Sequence, residues 1–265
     1  MKRFRPYWTA FRIRALLETR YRAAAFGGVA TQAFFGLLLI LLYTALYDGK
    51  DAEGLQDTVT YVWLQQMFFR AFLSNDNELS QRIMDGGMAY TLIEPVDQHI
   101  WWSFRALAQK TCGVMMRLIP MLLLQCILPV NLRMSGPESL LGFCQFLLST
   151  LLGFLCVTQI SMICMAITMI TLDSRGITGM INLIMMIFCG NIIPLTMFPE
   201  SMQHIIRYQP FAQAIDASIR MYQHTQSAHD FVLHIGVQLL WIALLTILAR
   251  YLWHRELNRI VIQGG

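Results

Sequence analysis

The stretch FCQFLLSTLLGFLCVTQISMICMAITMITL, residues 143–172, contains no acidic, basic or histidine side chain. Roughly 20 apolar residues in a helix cross the ~30 Å hydrocarbon core of a bilayer, so this run is long enough to span a membrane. The composition agrees, because 56% of the chain is hydrophobic and only 14% is charged, whereas soluble domains average about 25% charged residues. The sequence therefore predicts an all-α integral membrane protein.

Five further apolar runs predict a total of six transmembrane helices. The second and third are the least apolar, because Arg70 lies in one and Arg117 in the other. We expect residues 26–265 to form a single six-span domain, preceded by an interfacial helix at residues 1–25. The predicted spans are residues 26–47, 57–74, 111–129, 141–171, 177–198 and 231–252.

The charges of the two ends predict the orientation of the chain. Residues 1–25 carry many Lys and Arg residues against one acid, Glu18, and their aromatic residues recur near helical spacing, as in helices that lie in the membrane interface. Three arginines follow the last span, and the loop at residues 48–57 is acidic. By the positive-inside rule, both ends are cytoplasmic and this loop is outside. The first span is too long for the apolar part of a signal peptide, so we expect it to be retained.

The polar segment between the second and third spans is amphipathic and should be cytoplasmic. Asn75 and Glu78 match a capping box, Gly86–Gly87 favour a helix end, and Pro95 stops a second helical turn. In the following HIWWSFRALAQK, residues 99–110, we expect an aromatic belt at the two tryptophans and two basic residues at headgroup level. These tryptophans are Trp101 and Trp102, and the basic residues are Arg105 and Lys110.

The region after the fifth span contains three prolines between amphipathic stretches. We expect two short re-entrant or interfacial helices on the outer side, Glu200–Tyr208 and Phe211–Tyr222, within residues 199–224. Irregular backbone at membrane depth must be covered by protein or line a cavity. The candidate outer gate, or break of the fifth span, consists of Asn191, Pro194, Phe198 and Pro199.

The sequence contains no recognisable catalytic or metal-binding constellation. It lacks the G-x-x-x-x-G-K-[ST] loop that binds nucleotide phosphates, and its cysteines form no C-x-x-C pair. Few ionisable residues lie within the predicted spans, although ion-coupled transporters depend on such residues. We therefore expect no catalytic residue, no metal and no ATP site in this chain, and the energy for any transport must come from a partner.

Two strings carry a family resemblance, IMDGGMAYTLIEPV (residues 83–96) and GNIIPLTMFPESMQHIIRYQPF (residues 190–211). Together with the order of the elements, they resemble the permease subunit of a type-2 ATP-binding-cassette (ABC) exporter, a group that includes drug, peptide and polysaccharide exporters. The sequence departs from the first family string. Met84 and Asp85 stand where the family often has a basic residue, and Glu94 replaces the common Arg before the proline.

The resemblance implies that residues 75–98 form a coupling segment, which docks into a cleft of a separate ABC ATPase. It also implies two ATPase copies, a second permease in a homodimer or heterodimer, and location in the bacterial cytoplasmic (inner) membrane. ATP and magnesium would bind to the ATPase, and no cofactor is expected in this chain. The candidate docking residues are Glu78, Arg82, Ile83, Asp85, Gly86, Gly87, Tyr90, Leu92 and Glu94.

The function predicted from these observations is efflux of an amphipathic or hydrophobic substrate, such as a drug, a peptide, a lipid-like molecule or a glycan. The partners expected are the ATPase, a second permease and membrane lipid, without nucleic acid. Two alternatives remain open, an ion-coupled secondary transporter and a non-transporting membrane scaffold, and a lipid-modifying enzyme is less favoured. Co-purification of a nucleotide-binding subunit would distinguish ATP-driven efflux from these alternatives.

Overall fold

A computed structural model of the chain describes residues 4–20, 22–47, 51–72, 76–91 and 93–259, without the side chains of residues 22–24 and 72. Within these ranges the regular structure is helical and contains no strand, which confirms the predicted all-α class for this part of the chain. The α-helices are α1 Arg5–Arg20, α2 Arg22–Tyr47, α3 Ala52–Phe72, α4 Asn77–Met84, α5 Met88–Thr91, α6 Gln98–Ile127, α7 Leu140–Thr171, α8 Ser174–Phe188, α9 Glu200–Ile206, α10 Pro210–Ala214, α11 Asp216–Gln223 and α12 Ala228–Leu257.

Four helices in the described residues are long and apolar enough to cross a membrane: Ala25–Tyr47 of α2, and the whole of α6, α7 and α12. The helices at the predicted second and fifth spans differ from these. α3 has 21 residues but contains buried polar side chains, including Gln65 and Gln66. α8 has 15 residues, which at 1.5 Å per residue is only roughly 22 Å. Length and composition therefore identify four spans rather than the predicted six.

The helix that contains the predicted third span, α6, begins at Gln98, whereas the predicted span begins near residue 111. Asp97 caps this helix by accepting a hydrogen bond from the backbone N of Ile100 at 3.1 Å. The residues expected at the membrane interface instead lie inside the fold. Trp102 is 1% exposed, and Arg105 and Lys110 are also buried. Each of these side chains faces a neighbouring helix, where Lys110 Nζ, for example, donates to the carbonyl of Ala71 at 3.1 Å.

The helix of the fifth predicted span, α8, ends at Phe188, whereas the predicted span continues to residue 198. The reason is Gly190, whose φ of +76° lies in the left-handed region, a conformation that ends helices. Residues 200–223 then form three short helices, α9–α11, where the sequence predicts two. The second predicted piece is divided between α10 and α11 at Ile215, whose φ of −141° and ψ of −49° are not helical.

The central helix of the bundle is α7, which packs against α6, α10, α11 and α12. Gly153 permits the close approach of α10, since a Cβ at this position would collide with the carbonyl oxygen of Ala214. Small residues commonly allow such packing in membranes, where apolar burial gives little driving force for helix association.

A buried polar network joins α3 to α11 and to the end of α8 near residue 61. Asp216 is fully buried and accepts hydrogen bonds from Tyr61 Oη at 2.8 Å and from Arg220 Nε at 2.7 Å. Gln65 Nε2 donates to the carbonyl of Cys189 at 2.7 Å, just after α8 ends. These bonds compensate the cost of removing a carboxylate and amides from water.

Candidate functional site

The segment that joins α3 to α6 contains α4 and α5, and we call residues 76–97 the α4–α5 segment. Gly86, with φ of +72°, allows the turn between the two helices, which confirms the predicted helix end. The predicted capping box is wrong. The cap of α4 is Asp76, whose Oδ1 accepts from the backbone N of Glu78 at 3.1 Å, and the carboxylate of Glu78 pairs with arginines instead. Asn75 lies outside the described residues.

One face of the α4–α5 segment is buried in the chain's own core. Leu79, Ile83 and Met88 belong to an apolar cluster that includes Trp102 of α6 and Trp253 of α12. Residues four apart lie on the same side of a helix, so Leu79 and Ile83 fix the face of α4 that points inward. This packing connects the segment mechanically to helices that are long enough to span a membrane.

An ion pair with α6 holds the start of the segment. Arg105 Nε lies 3.2 Å from Asp76 Oδ2, and both side chains are buried. The same arginine also pairs with Glu78. From the opposite side, Arg14 of α1 lies 3.4 Å from Asp76 Oδ1, so the cap of α4 is bound to α1 and α6 together. Removing Arg105 would leave this buried carboxylate with Arg14 alone, and the loss of a partner from a buried charge is unfavourable.

Two arginine side chains of this cluster lie over the ring of Trp102. Arg105 Cζ is 4.9 Å from the centroid of the ring and Arg82 Cζ is 5.5 Å from it. A guanidinium within about 6 Å of an indole is stabilised by the ring's quadrupole. Arg82 also donates to Glu78 Oε1 at 3.0 Å. Trp102 thus joins the packing beneath α4 to the charges along its side.

A second aspartate holds the end of the segment. Asp97 caps α6 with one carboxylate oxygen, and its Oδ2 accepts from Arg250 Nη2 of α12 at 2.7 Å. Its backbone N donates to Tyr7 Oη of α1 at 3.1 Å. Both ends of the α4–α5 segment therefore have a helix-capping aspartate paired with an arginine from a long helix.

The opposite side of the segment is exposed. Tyr90 is 75% exposed and Ile93 is 81% exposed, and both are large apolar or aromatic side chains. Single exposed apolar residues are common on proteins, but a group of them on a rigidly held projection is typical of interaction sites. We call this surface the exposed face of the segment; it consists of Met84, Asp85, Gly86, Tyr90, Ile93 and Glu94.

The docking positions predicted from the sequence do not all lie on this face. Asp85, Gly86, Tyr90 and Glu94 do, whereas Ile83 is buried in the core beneath it. Three other positions are partly exposed along its side, namely Glu78, Arg82 and Gly87. Leu92 lies outside the described residues. The docking role of these positions stays a prediction.

The four predicted gate residues follow one another between α8 and α9. Asn191 is buried, and its backbone N donates to the carbonyl of Met186 at 3.0 Å. Pro194 precedes a 3-10 turn at Leu195–Met197, and Pro199 precedes α9. Phe198 packs on a small apolar cluster that includes Leu195 and Ile206.

Asn191 also lines an almost wholly apolar groove of about 310 Å³ between α2, α3 and the end of α8, together with Gln32, Phe35, Gln66 and Ile192.

A comparison with protein-family models gives a match over residues 28–264, to the family described as ABC-2 family transporter protein. This chain belongs to the ABC-2 transporter family. It is the permease subunit of an ABC-2 type transporter, a multi-pass membrane protein rather than the ATP-binding subunit. The family implies an ABC ATPase as partner. No curated protein sequence matches the chain.

The residues that fix the α4–α5 segment of this ABC-2 permease escaped prediction from the sequence. A signal existed for Asp76 and Asp97, since each directly precedes a helix, where aspartate is a preferred cap. The sequence contains no comparable signal for their arginine partners. Arg105 is 29 positions from Asp76, and Arg250 is 153 positions from Asp97, so only folding brings these charges together.

Proposed function

We propose that this ABC-2 permease exports an amphipathic or hydrophobic substrate across the bacterial cytoplasmic membrane. Two copies of a separate ABC ATPase, which binds ATP and magnesium, would supply the energy. The permease itself would hold no cofactor. A second permease, identical or related, would complete the translocation path. The observation that carries the proposal is the exposed face of the α4–α5 segment, which presents Tyr90 and Ile93 on a segment bound at both ends to long helices.

The exposed face suits a partner that transmits force. Tyr90 and Ile93 offer large side chains for a pocket, and buried anchors of this kind commonly contribute 2 kcal/mol or more to binding. Beneath them, the ion pairs of Asp76 and Asp97 oppose any sliding of the segment relative to α6 and α12. A displacement of the ATPase would therefore move these helices with it.

The proposed topology has six spans, with α3 and α8 as the second and fifth. α3 is long enough at roughly 31 Å, and its polar residues Thr60, Gln65 and Gln66 face the interior of the bundle rather than lipid. α8 is extended by the irregular residues 189–199, which the buried bonds of Gln65 and Asn191 satisfy in part. Both termini and the α4–α5 segment would then be cytoplasmic, and α9–α11 outside.

We propose that the groove of about 310 Å³ beside Asn191 forms part of the substrate path. It is almost entirely apolar, and the polar groups of Gln32 and Asn191 lie at its wall. Large apolar side chains of α2, among them Phe34, Phe35 and Leu38, are exposed next to it. A second permease packed on this side would enclose the groove between the two chains.

The first test is purification of the permease in mild detergent, where we expect a nucleotide-binding subunit to co-purify. The second is Ile93→Asp, which places a charge on the exposed face. We expect it to abolish ATP-dependent efflux and ATPase association while the permease still inserts. The matched control is Ile205→Asp, the same change at an equally exposed isoleucine of α9, which should retain association.

Other outcomes would replace the proposal. Substrate transport by the permease alone, following a proton or sodium gradient in proteoliposomes, would identify an ion-coupled transporter. Absence of both an ATPase partner and any transport would favour a membrane scaffold. If Ile93→Asp and Ile205→Asp associate with the ATPase equally well, the exposed face is not the docking site.

A further inference from the structure

A polar cavity of about 480 Å³ lies at the end of the bundle away from the α4–α5 segment. α3 shows the separation: Asp57 lines the cavity near the start of this helix, and Phe72 at its other end precedes the segment, roughly 22 Å away. The charged and histidine side chains that line the cavity come from α3, the outer helices and α12, and they are Asp57, Arg207, Arg220, His224 and His234.

Most charges around the cavity are paired within the chain. Arg220 Nε donates to the buried carboxylate of Asp216 at 2.7 Å. His224 Nε2 lies 3.3 Å from Asp57 Oδ2 at the more exposed rim. Arg207 differs, because its contacts are with the neutral Gln203, which accepts from Nη2 at 2.6 Å, and no carboxylate of the described residues lies within 4.0 Å of it. Among the described residues, Arg207 therefore has no ion-pair partner.

Three of the lining side chains have a buried nitrogen without a hydrogen-bond partner. These atoms are Arg207 Nε, Arg220 Nη2 and His234 Nδ1. Leaving a buried donor unsatisfied costs roughly 1–3 kcal/mol, and more for a charged group. Native proteins rarely keep several such groups together unless a ligand, an ion or water completes their bonds. All three residues line this one cavity, and they come from separate elements.

We propose that this cavity binds a phosphate-bearing group. Guanidinium groups recognise phosphate through several N–H donors in a fixed geometry, and a tetrahedral group with several acceptor oxygens suits donors that arrive from different directions. The cavity is larger than phosphate alone requires, and Thr58, Thr196, Gln223 and Gln226 line the remaining space, so the phosphate should belong to a larger polar headgroup or ester.

The phosphate could be attached to a lipid or to a soluble molecule, and both share the same chemistry. Exposed apolar residues of α9, including Ile205, lie on the same short outer element as Arg207. They would favour a lipid phosphate if α9 rests in the membrane surface. The proposal does not depend on transport or on the ATPase, so it can be tested on the purified permease by itself.

The test is a titration of the full chain, purified in a neutral detergent and a buffer free of phosphate and sulfate. The ligands are inorganic phosphate, dioctanoyl phosphatidic acid and, as the phosphate-free control, dioctanoylglycerol. The readout is the rise of the thermal unfolding midpoint with ligand concentration, from which an apparent dissociation constant follows. The variants are Arg207→Gln, Arg207→Lys and the control Arg175→Gln, which removes an exposed arginine from the other end of the bundle.

We expect Arg207→Gln to weaken phosphate-dependent binding about tenfold or more, as loss of a charge-assisted hydrogen bond does. Arg207→Lys should bind with intermediate strength, because lysine keeps the charge without the fork of donors. Arg175→Gln should bind like the unmodified chain. Should Arg207→Gln fail to fold without ligand, the lysine variant and the three-ligand comparison still decide the question.

The ligand comparison identifies the source of the phosphate. Binding of phosphatidic acid alone supports a lipid headgroup, and equal binding of inorganic phosphate supports recognition of the group without its chains. The proposal is overturned if neither phosphate compound binds better than dioctanoylglycerol, or if both Arg207 variants bind phosphate as tightly as the unmodified chain.

Discussion

Arg105 of α6 and Asp76, the cap of α4, form a buried ion pair in which Nε and Oδ2 are 3.2 Å apart. A short projecting helix has few contacts of its own, so its position depends on what holds its ends. This pair and the Arg250–Asp97 pair hold the two ends of the α4–α5 segment. The exposed face therefore moves together with the membrane helices.

Replacing Arg105 by Met should destabilise the permease strongly, because Asp76 would remain buried after its closest partner is lost. Removing the partner of a buried charge costs about 3–5 kcal/mol, and Arg14, 3.4 Å from Asp76 Oδ1, reduces that loss here. The measurement is the free energy of unfolding in mixed micelles. Arg82→Met is the control, since Arg82 and Glu78 are partly exposed, and such pairs contribute roughly 0–1 kcal/mol. Equal losses in the two variants would show that the Asp76 pair is no more important than a surface pair.

Asp97 has two roles that substitutions separate. Asp97→Asn should keep the cap of α6, since Asn is an equally good cap, and lose only the partly exposed pair with Arg250, which is worth about 1 kcal/mol or less. Asp97→Ala should lose the cap as well, at about 1 kcal/mol more. Unfolding of both variants under the same conditions tests this order, and indistinguishable stabilities would mean that the cap contributes nothing.

Gly190→Ala should destabilise the end of α8. The left-handed backbone costs a residue with a Cβ roughly 1–2 kcal/mol, and the added carbon would also collide with Tyr61 Oη, which donates to Asp216. Gly179→Ala is the matched control within α8, where nothing lies within 4 Å of the added carbon. It should be neutral or stabilise the helix by up to about 1 kcal/mol. Equal stability of the two variants would contradict the role of Gly190 in ending α8.

The six-span topology predicts opposite sides for the two ends of α3. In a permease whose native cysteines are replaced, Glu53→Cys should react with a membrane-impermeant maleimide on intact cells. Gln81→Cys should react only after the cells are permeabilised. Both positions are exposed in the fold, so access depends on the membrane alone. Labelling of both from outside would show that α3 does not cross.

Hydrophobicity and local signals in the sequence were enough for the fold class, the family resemblance and the amphipathic segment. The run at residues 143–172 became α7 with nearly the predicted bounds, because an uncharged stretch of that length has few alternatives to a membrane helix. Gly86 ended α4 as expected, since its backbone freedom is local. Charge and apolar periodicity are properties of neighbouring residues, and for that reason they can be read directly.

The tertiary structure decided where the polar side chains go. Trp102 and Arg105 look like interface residues in the sequence, yet both are buried beneath α4. Trp102 packs with Leu79 and Ile83, and Arg105 pairs with Asp76 and Glu78, all from another part of the chain. Arg207 joins the other lining residues of the polar cavity only where α3, the segment 194–226 and α12 meet. A sequence reveals which residues are costly to bury, but only the fold determines which partner compensates that cost.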